Sequence, residues 1–444
     1  MRLALKHIVL AAGLAVMAGC ASTPTQGPGR ETTVTSPAFT EAHQLAQADA
    51  RGNAARIETL LASLDDAALS RHTAALAAND PLYPYAGRAM LRRGLQPPHA
   101  FDRGWSFDAR PPAAADGYRP PAKVAVLLPL SGSLSGAAKP VRDGYLAGYY
   151  AETRQRPTIT FYDSAAGVSG AYQKAVSEGA DYVVGPLDRD QVSALFAQGN
   201  LPVPVLALNS STRATPTGSV SFSLAPEDEG LAAAEYVLGQ GAKNVLVFTG
   251  TDDTMRRTSA SFRQRLQARG GQVVDQITVG DSAEALMAPL ATAAAKGPVD
   301  AIYFATRGDQ AATAIAALNG QPALIQARRV GASPIASGAD SAAETALLDG
   351  IVFPTESLGR RQIPGIPSNP GSLTPTAAGG AGRLFAFGYD AWLITAYLER
   401  LAMAPGKPIS GATGGLHLDG FGNVLRTPDW SVMRGGVAMP LGGR

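Results

Sequence analysis

The chain has 444 residues, of which 45% are hydrophobic and 17% charged, and its formal net charge is +2. This composition allows a sizeable folded core, and without a cluster of basic residues it does not indicate a nucleic-acid-binding protein. The single cysteine excludes a disulfide bond within the chain.

The first twenty residues have the pattern of a secretion signal that ends in a cysteine. A short basic segment precedes an apolar run over residues 8–18, which is too short to cross a bilayer because that takes about 20 residues. Met17-Ala18-Gly19-Cys20 resembles the bacterial lipobox, which implies that Cys20 is lipidated. We therefore predict a signal peptide over residues 1–19 and a lipid anchor at Cys20. Ala21 stands where an inner-membrane lipoprotein often has Asp, which favours the periplasmic side of the outer membrane.

Three segments of different composition follow the predicted anchor. Residues 20–37, rich in Thr, Ser, Pro and Gly, predict a disordered tether. Residues 38–95 have Ala and Leu at helical spacing and predict a small helical region. Residues 96–121 contain three Pro-Pro pairs, so we expect a semi-rigid linker and a domain boundary there.

From Lys123 onward, short apolar runs alternate with helical patterns. The continuous apolar run over residues 124–128 is typical of a strand buried on both faces. A βα alternation with short loops predicts a parallel sheet, and it restarts after Pro226, which predicts a second lobe. We thus expect an α/β two-lobed domain over residues 122–444, with a mobile loop over 357–382. The predicted strands after the first cover residues 158–162, 181–184, 203–208, 244–248, 272–278, 301–304 and 323–326, before a long helix over 384–401 and a hairpin over 414–425.

Several motifs of this domain resemble a known family. The opening Lys123-Val-Ala-Val-Leu-Leu-Pro-Leu-Ser-Gly and the closing Gly411-Ala-Thr-Gly-Gly-Leu-His-Leu-Asp-Gly-Phe-Gly-Asn are similar to those of type I periplasmic binding proteins. Further motifs resemble the narrower group of LpoA-type penicillin-binding protein activators, the LppC family of lipoproteins: Asp143-Gly-Tyr-Leu-Ala-Gly, Ala180-Asp-Tyr-Val-Val-Gly-Pro-Leu, Pro204-Val-Leu-Ala-Leu-Asn, Leu224-Ala-Pro-Glu-Asp-Glu and Phe387-Gly-Tyr-Asp-Ala-Trp.

The resemblance implies a regulator that is not an enzyme and needs no cofactor. Family members are outer-membrane lipoproteins that stimulate a class A penicillin-binding protein, which polymerises and cross-links peptidoglycan. Better-known members have a larger helical N-terminal domain than residues 38–95 can form, which leaves the role of that region here open. The alternative from another class is a solute receptor, in which the same two lobes close on a small ligand for delivery to a transporter.

Candidate cleft residues follow two of the predicted parallel strands: Ser131, Gly132, Ser133, Asn209 and Ser210. Loops at the carboxyl ends of parallel strands are where such sheets bind ligands. The same residue types also suit a flexible helix start or a turn, so both interpretations stay open at this point.

The chain offers little that indicates catalysis or metal binding. Ser135 and Lys139 are four residues apart, which does not fit the S-x-x-K motif of penicillin-binding enzymes. The five histidines lack metal-ligand spacing, so we predict no metal site. The acidic runs at 227–229 and 252–253 are interpreted as helix starts. Arg360 and Arg361, in the predicted loop, are the candidate contacts with a protein partner.

Overall fold

The computed structural model describes residues 36–108, 110–280 and 282–441. The predicted signal peptide, Cys20 and nearly all of the predicted tether lie outside these ranges. Within them, no helix combines the length and the hydropathy needed to cross a bilayer.

The described residues form fourteen α-helices and fifteen strands. The helices are α1 Pro37–Asp49, α2 Ala54–Ser63, α3 Asp66–Ala74, α4 Tyr83–Leu91, α5 Ser135–Ala151, α6 Val168–Ser177, α7 Arg189–Phe196, α8 Pro226–Gly239, α9 Asp253–Ala268, α10 Met287–Lys296, α11 Gly308–Leu318, α12 Pro322–Ile325, α13 Ala342–Leu347 and α14 Gly382–Met403. The strands are β1 Lys123–Leu128, β2 Thr158–Asp163, β3 Tyr182–Val184, β4 Val205–Ala207, β5 Val220–Phe222, β6 Asn244–Thr249, β7 Gln272–Thr278, β8 Ala301–Ala305, β9 Arg328–Gly331, β10 Val352–Thr355, β11 Ile409–Ser410, β12 Gly415–Leu418, β13 Asn423–Thr427, β14 Asp429–Arg434 and β15 Val437–Pro440. Short 3-10 helices cover Glu284–Leu286, Ser333–Ala336, Pro370–Ser372, Pro375–Ala377 and Gly379–Ala381.

Helices α1 to α4 pack around their own apolar core and against both lobes. The ring of Tyr85 meets Phe421 of the β12–β13 hairpin edge-on, with centroids 4.7 Å apart. On the other side, Arg269 after α9 donates to the carbonyl oxygen of Leu64 at 3.0 Å. The helical region is therefore attached to each lobe through side chains.

The proline-rich segment 96–121 lies along the first lobe. Phe101 and Tyr118 are buried, and Arg103 donates to the carbonyl oxygen of Thr215 at 3.2 Å. Arg119 pairs with Glu399 of α14 at 2.7 Å. These contacts fix the course of the segment across the lobe surface.

The first lobe is an eight-stranded sheet in the order β11-β12-β13-β5-β4-β3-β1-β2, covered by helices on both faces. Along β1, Val124 and Val126 contribute to the apolar core that holds α5 and α14. Ala125 and Leu127 contribute to the core on the opposite face, beneath α6 and α7. Both faces of β1 are thus buried, which explains its continuous apolar run.

The second lobe is a seven-stranded sheet in the order β15-β14-β10-β9-β8-β6-β7. Strands β6 to β10 pair in parallel, and β14 and β15 add antiparallel strands at one edge. The chain passes between the lobes after β5, after β10 and after β13, so the segments that follow these strands form the junction. The predicted two-lobed α/β class is confirmed.

The predicted strand at 323–326 and the predicted mobile loop differ from the structure. The strand predicted over 323–326 is wrong, because Pro322 opens the short helix α12 and the strand β9 begins at Arg328. An apolar run of only three residues, Ala323 to Ile325, does not distinguish a strand from a buried helical turn. The segment 357–382 is a loop, but it packs: Ile363, Ile366 and Ala377 are buried against α14.

Candidate functional site at the junction of the lobes

The predicted cleft residues form local turn contacts at the ends of β1 and β4. Ser131 donates to Asp163 at 2.6 Å, and Gly132 has the positive φ of +75° that its turn requires. The side-chain amide of Asn209 donates to the carbonyl oxygen of Leu187 at 2.9 Å, and its Oδ1 accepts from the backbone N–H of Ser210. These contacts fit the turn interpretation, and a ligand role for Ser131, Gly132, Ser133, Asn209 and Ser210 stays a prediction.

The two candidate partner arginines are both bonded within the chain. Arg360 donates to the carbonyl oxygen of Ala438 at 2.6 Å, and Arg361 pairs with Asp429 at 2.8 Å. They tie the loop to strands β14 and β15. Arg361 is the more exposed of the two, and its contact with a partner stays a prediction.

Glu229 and Arg383 join the two lobes through an ion pair in which Glu229 is buried and Arg383 is half-buried. Glu229 lies in the first turn of α8 in the second lobe, and Arg383 lies at the start of α14 in the first lobe. Glu229 also accepts from the hydroxyl of Ser333 at 2.8 Å and from its backbone N–H at 3.1 Å. Arg383 has a second carboxylate partner in Glu356, after β10, at 3.2 Å.

Both members of this pair are charged at neutral pH. Burial raises the pKa of Glu229, but the charge of Arg383 and the hydrogen bonds from Ser333 outweigh it and hold that pKa below its ordinary value. Burial lowers the pKa of Arg383, and the nearby Glu229 and Glu356 reverse this so that the net shift is upward. The junction therefore holds a charged, hydrogen-bonded cluster, which we call the clasp. It consists of Glu229, Ser333, Glu356 and Arg383.

Almost no empty space is left beside this clasp. The cavity that Glu229, Ser333, Glu356, Thr413 and neighbouring residues line has a volume of about 20 Å³. That is room for about one water molecule, whereas small-molecule sites have roughly 300–1,000 Å³. The space directly beside the clasp is therefore too small for a metabolite-sized solute.

The acidic run 227–229 was interpreted as a helix start, and this is confirmed. Pro226 opens α8, and the three acids lie in its first turn. Asp252 caps α9 in the same way by accepting from the backbone N–H of Met255 at 3.0 Å. The clasp role of Glu229 was missed, because its partners lie more than a hundred residues away in the sequence and no local pattern marks them.

Glu229→Ala is expected to loosen the junction, because it leaves Arg383 and Ser333 without their shared acceptor. Breaking one side of a fully buried pair costs roughly 3 kcal/mol, and because the side chain of Arg383 is 30% exposed we expect a smaller loss of about 1–2 kcal/mol. Hydrogen–deuterium exchange should rise around Ser333 and at the start of α14. The matched control is Glu227→Ala, whose side chain pairs with Arg257 at the surface, where such pairs contribute about 0–1 kcal/mol. Equal exchange in both variants would count against the clasp.

A second buried carboxylate holds the loop that leads into β12. Asp390 of α14 accepts from the backbone N–H groups of Ala412 and Thr413 at 2.5 and 2.8 Å, and from the hydroxyl of Thr413 at 2.6 Å. A Cβ at Gly411 would lie 2.6 Å from its carboxylate oxygens, so the loop backbone has to approach this closely. The contact joins two of the family motifs, 387–392 and 411–423.

Within the residues that the structure describes, no cluster of three or more His, Cys, Asp or Glu is arranged to hold a metal ion.

The lobe architecture and its family-like motifs agree with a match to a protein-family model. Residues 117–436, which include both lobes, match the family described as LppC putative lipoprotein. The chain belongs to the LppC family.

Relatives and solved structures are consistent with this membership. The penicillin-binding protein activator LpoA of Mannheimia succiniciproducens is 27% identical over 329 residues, which cover 72% of this chain and 55% of that protein. The chain thus spans about half the length of the curated relatives it matches. The C-domain of LpoA from Haemophilus influenzae, described as a regulator of PBP1A, superposes with a TM-score of 0.62 at 22% identity and covers 72% of this chain and all of that domain.

The same fold also occurs in transport proteins. A putative branched-chain amino acid ABC transporter protein from Chromobacterium violaceum superposes with a TM-score of 0.57 at 27% identity and covers 70% of this chain and all of that one. The two-lobed fold of the LppC family is therefore shared with proteins of a different kind, and fold alone does not assign the activity.

Proposed function

We propose that this chain is a lipoprotein of the outer membrane, facing the periplasm, that binds and activates a class A penicillin-binding protein and is not itself an enzyme. The observation that carries the proposal is the similarity of 72% of the chain to a curated penicillin-binding protein activator. Membership of the LppC family agrees with it.

The junction between the lobes favours this function over that of a solute receptor. A receptor has to open around its ligand and close again, and it needs a ligand-sized space beside the contact that closes its two lobes. Here the charged clasp of Glu229 and Arg383 joins the lobes beside a cavity of about 20 Å³. A surface that regulates a protein partner needs no such space.

The direct test is a pull-down with the full chain, purified in detergent, as bait in solubilised envelope. We expect mass spectrometry to identify a class A penicillin-binding protein in the retained fraction, and we expect its glycan polymerisation or cross-linking rate to rise when the chain is added. Retention of no such enzyme, together with a small molecule bound to the chain in native mass spectra, would favour the solute receptor instead.

Cys20→Ala is expected to release the protein from the membrane without weakening its binding to the partner in vitro. The predicted lipid supplies the membrane attachment, and two acyl chains are needed for stable anchoring. Cell fractionation should find the variant in the soluble periplasm, and cells that depend on the activator should not be rescued by it. Loss of binding in vitro would show that the anchor does more than localise the protein.

A further inference from the structure

A separate cavity of about 470 Å³ lies where α4, α8, α9 and β13 meet. Its volume is within the range of small-molecule sites. It is bounded by the helical N-terminal region, the second lobe and a strand of the first lobe. The charged side chains that line it are Asp66, Arg92, Arg93, Asp228, Glu235, Arg265, Arg269 and Arg426.

Three of these arginines are paired with two of the carboxylates. Arg93 and Arg269 share Asp66, at 3.0 and 3.3 Å. Arg265 donates through Nε to Glu235 at 2.5 Å. The charged groups of the lining that remain outside these pairs are Arg92, Arg426 and Asp228.

Arg92 and Arg426 have no hydrogen bond or ion pair from their guanidinium groups to any residue that the structure describes. Arg265 also has a free donor, because its Nη2 lacks a partner although the side chain is only 8% exposed. Asp228 is the remaining carboxylate, and it lies beyond 4 Å from each arginine. With five arginines and three carboxylates, the lining has a net charge of 5 − 3 = +2.

The electrostatics of the cavity reflect this excess of positive charge. Burial lowers the pKa of Arg92 and the neighbouring Arg88 lowers it further, while Glu58 and Asp228 oppose this only in part. Burial and Arg383 also lower the pKa of Arg426, against the opposing carboxylates of Asp228, Glu229 and Glu356. Arg92 and Arg426 are half-buried, and guanidinium groups that are partly withdrawn from water without an acceptor are unfavourable. An oxyanion would supply the acceptors, in the planar two-bond geometry that guanidinium groups favour.

We propose that this cavity binds a small molecule that has a carboxylate or phosphate group. The guanidinium groups of Arg92, Arg265 and Arg426 would donate hydrogen bonds to that group. The rest of the molecule would lie against Trp430, whose ring stacks on that of Tyr236 at 4.1 Å. Such a ligand would touch the helical region, the second lobe and β13 together. The inference does not depend on the proposed regulation of a penicillin-binding protein.

The test uses the full chain in detergent, exchanged into a buffer with chloride as its anion. Inorganic phosphate and succinate are titrated separately at constant ionic strength, and the thermal midpoint and the heat of binding are measured. We expect at least one of them to bind saturably and to raise the midpoint by several degrees. The stronger of the two identifies the head group as phosphate or carboxylate.

Variants assign the binding to the cavity. Arg92→Ala and Arg426→Ala are expected to lower the affinity for the anion at least tenfold. The control is Arg256→Ala, which removes an exposed arginine of the same helix as Arg265 and should leave the affinity unchanged. Without ligand, Arg92→Ala should unfold at the same or a higher temperature, since Arg92 has no partner to lose. If Arg426→Ala does not fold, the affinity of Arg92→Ala for the anion is sufficient to test the proposal. Absence of saturable binding for both anions, or unchanged affinity in Arg92→Ala, would overturn the proposal.

Discussion

Gly144→Ala is expected to destabilise the first lobe by roughly 1–3 kcal/mol. Gly144 lies on α5 where it crosses α14, and a Cβ there would be 1.9 Å from the carbonyl oxygen of Phe385 and 2.9 Å from the backbone nitrogen of Tyr389. These are backbone atoms, so the helices have to separate to make room. The gain in helix propensity from Gly to Ala is about 1 kcal/mol and does not offset this.

The measurement is the unfolding midpoint in urea or on heating, followed by circular dichroism. Gly136→Ala in the same helix is the matched control, because a Cβ there meets no atom within 4 Å. We expect the control to unfold as the parent chain does. A similar loss in both variants would show that the effect comes from the helix itself and not from its crossing with α14.

The crossing explains two of the motifs that the sequence alone only associated with a family. On the facing helix, a Cβ at Gly388 would lie 1.9 Å from the carbonyl oxygen of Val141. Gly148, one turn beyond Gly144, likewise leaves space for the ring of Trp392. Hydrophobic spacing predicted both helices, but it carries no information on which pair of faces meets, because that depends on residues more than two hundred positions apart.

The parallel strands, in contrast, were predictable from the local sequence. Buried strands such as β1 and β8 are continuous apolar runs, which the sequence displays directly. Strands β5 and β10 were missed. Each is short, and β10 contains Pro354, which argues against a strand in local pattern alone. The clasp and the arginine-lined cavity were missed because each assembles side chains from three or more distant segments.

Asp390→Ala is expected to cost roughly 3–5 kcal/mol, because it leaves two backbone N–H groups and a hydroxyl without an acceptor in a buried site. The loop 411–414 should then detach from α14. Hydrogen exchange at Ala412 and Thr413 is the sensitive measurement, together with the thermal midpoint. Asp349→Ala is a suitable control, as this aspartate lies in an exposed turn of the second lobe. Protected amides at Ala412 and Thr413 in Asp390→Ala would contradict this role.

Because Asp390 is buried, we expect the stability of the chain to depend on pH, and Asp390→Asn should remove this dependence. Burial raises the pKa of Asp390 to about 6, despite the hydrogen bonds from Thr413 and Ala412 that oppose this. The unfolded carboxyl titrates near 4, so between about pH 4 and pH 6 the folded chain holds a proton that the unfolded chain has lost. The contribution of protonated Asp390 to the free energy of unfolding is therefore fully present below about pH 4. It falls by roughly 1.4 kcal/mol per pH unit as the pH rises to about 6. Unfolding of the parent chain and Asp390→Asn should be measured in parallel from pH 4 to pH 8, because the other titrating groups cancel in the difference. A difference that does not change with pH would mean that the hydrogen bonds keep Asp390 ionised throughout this range.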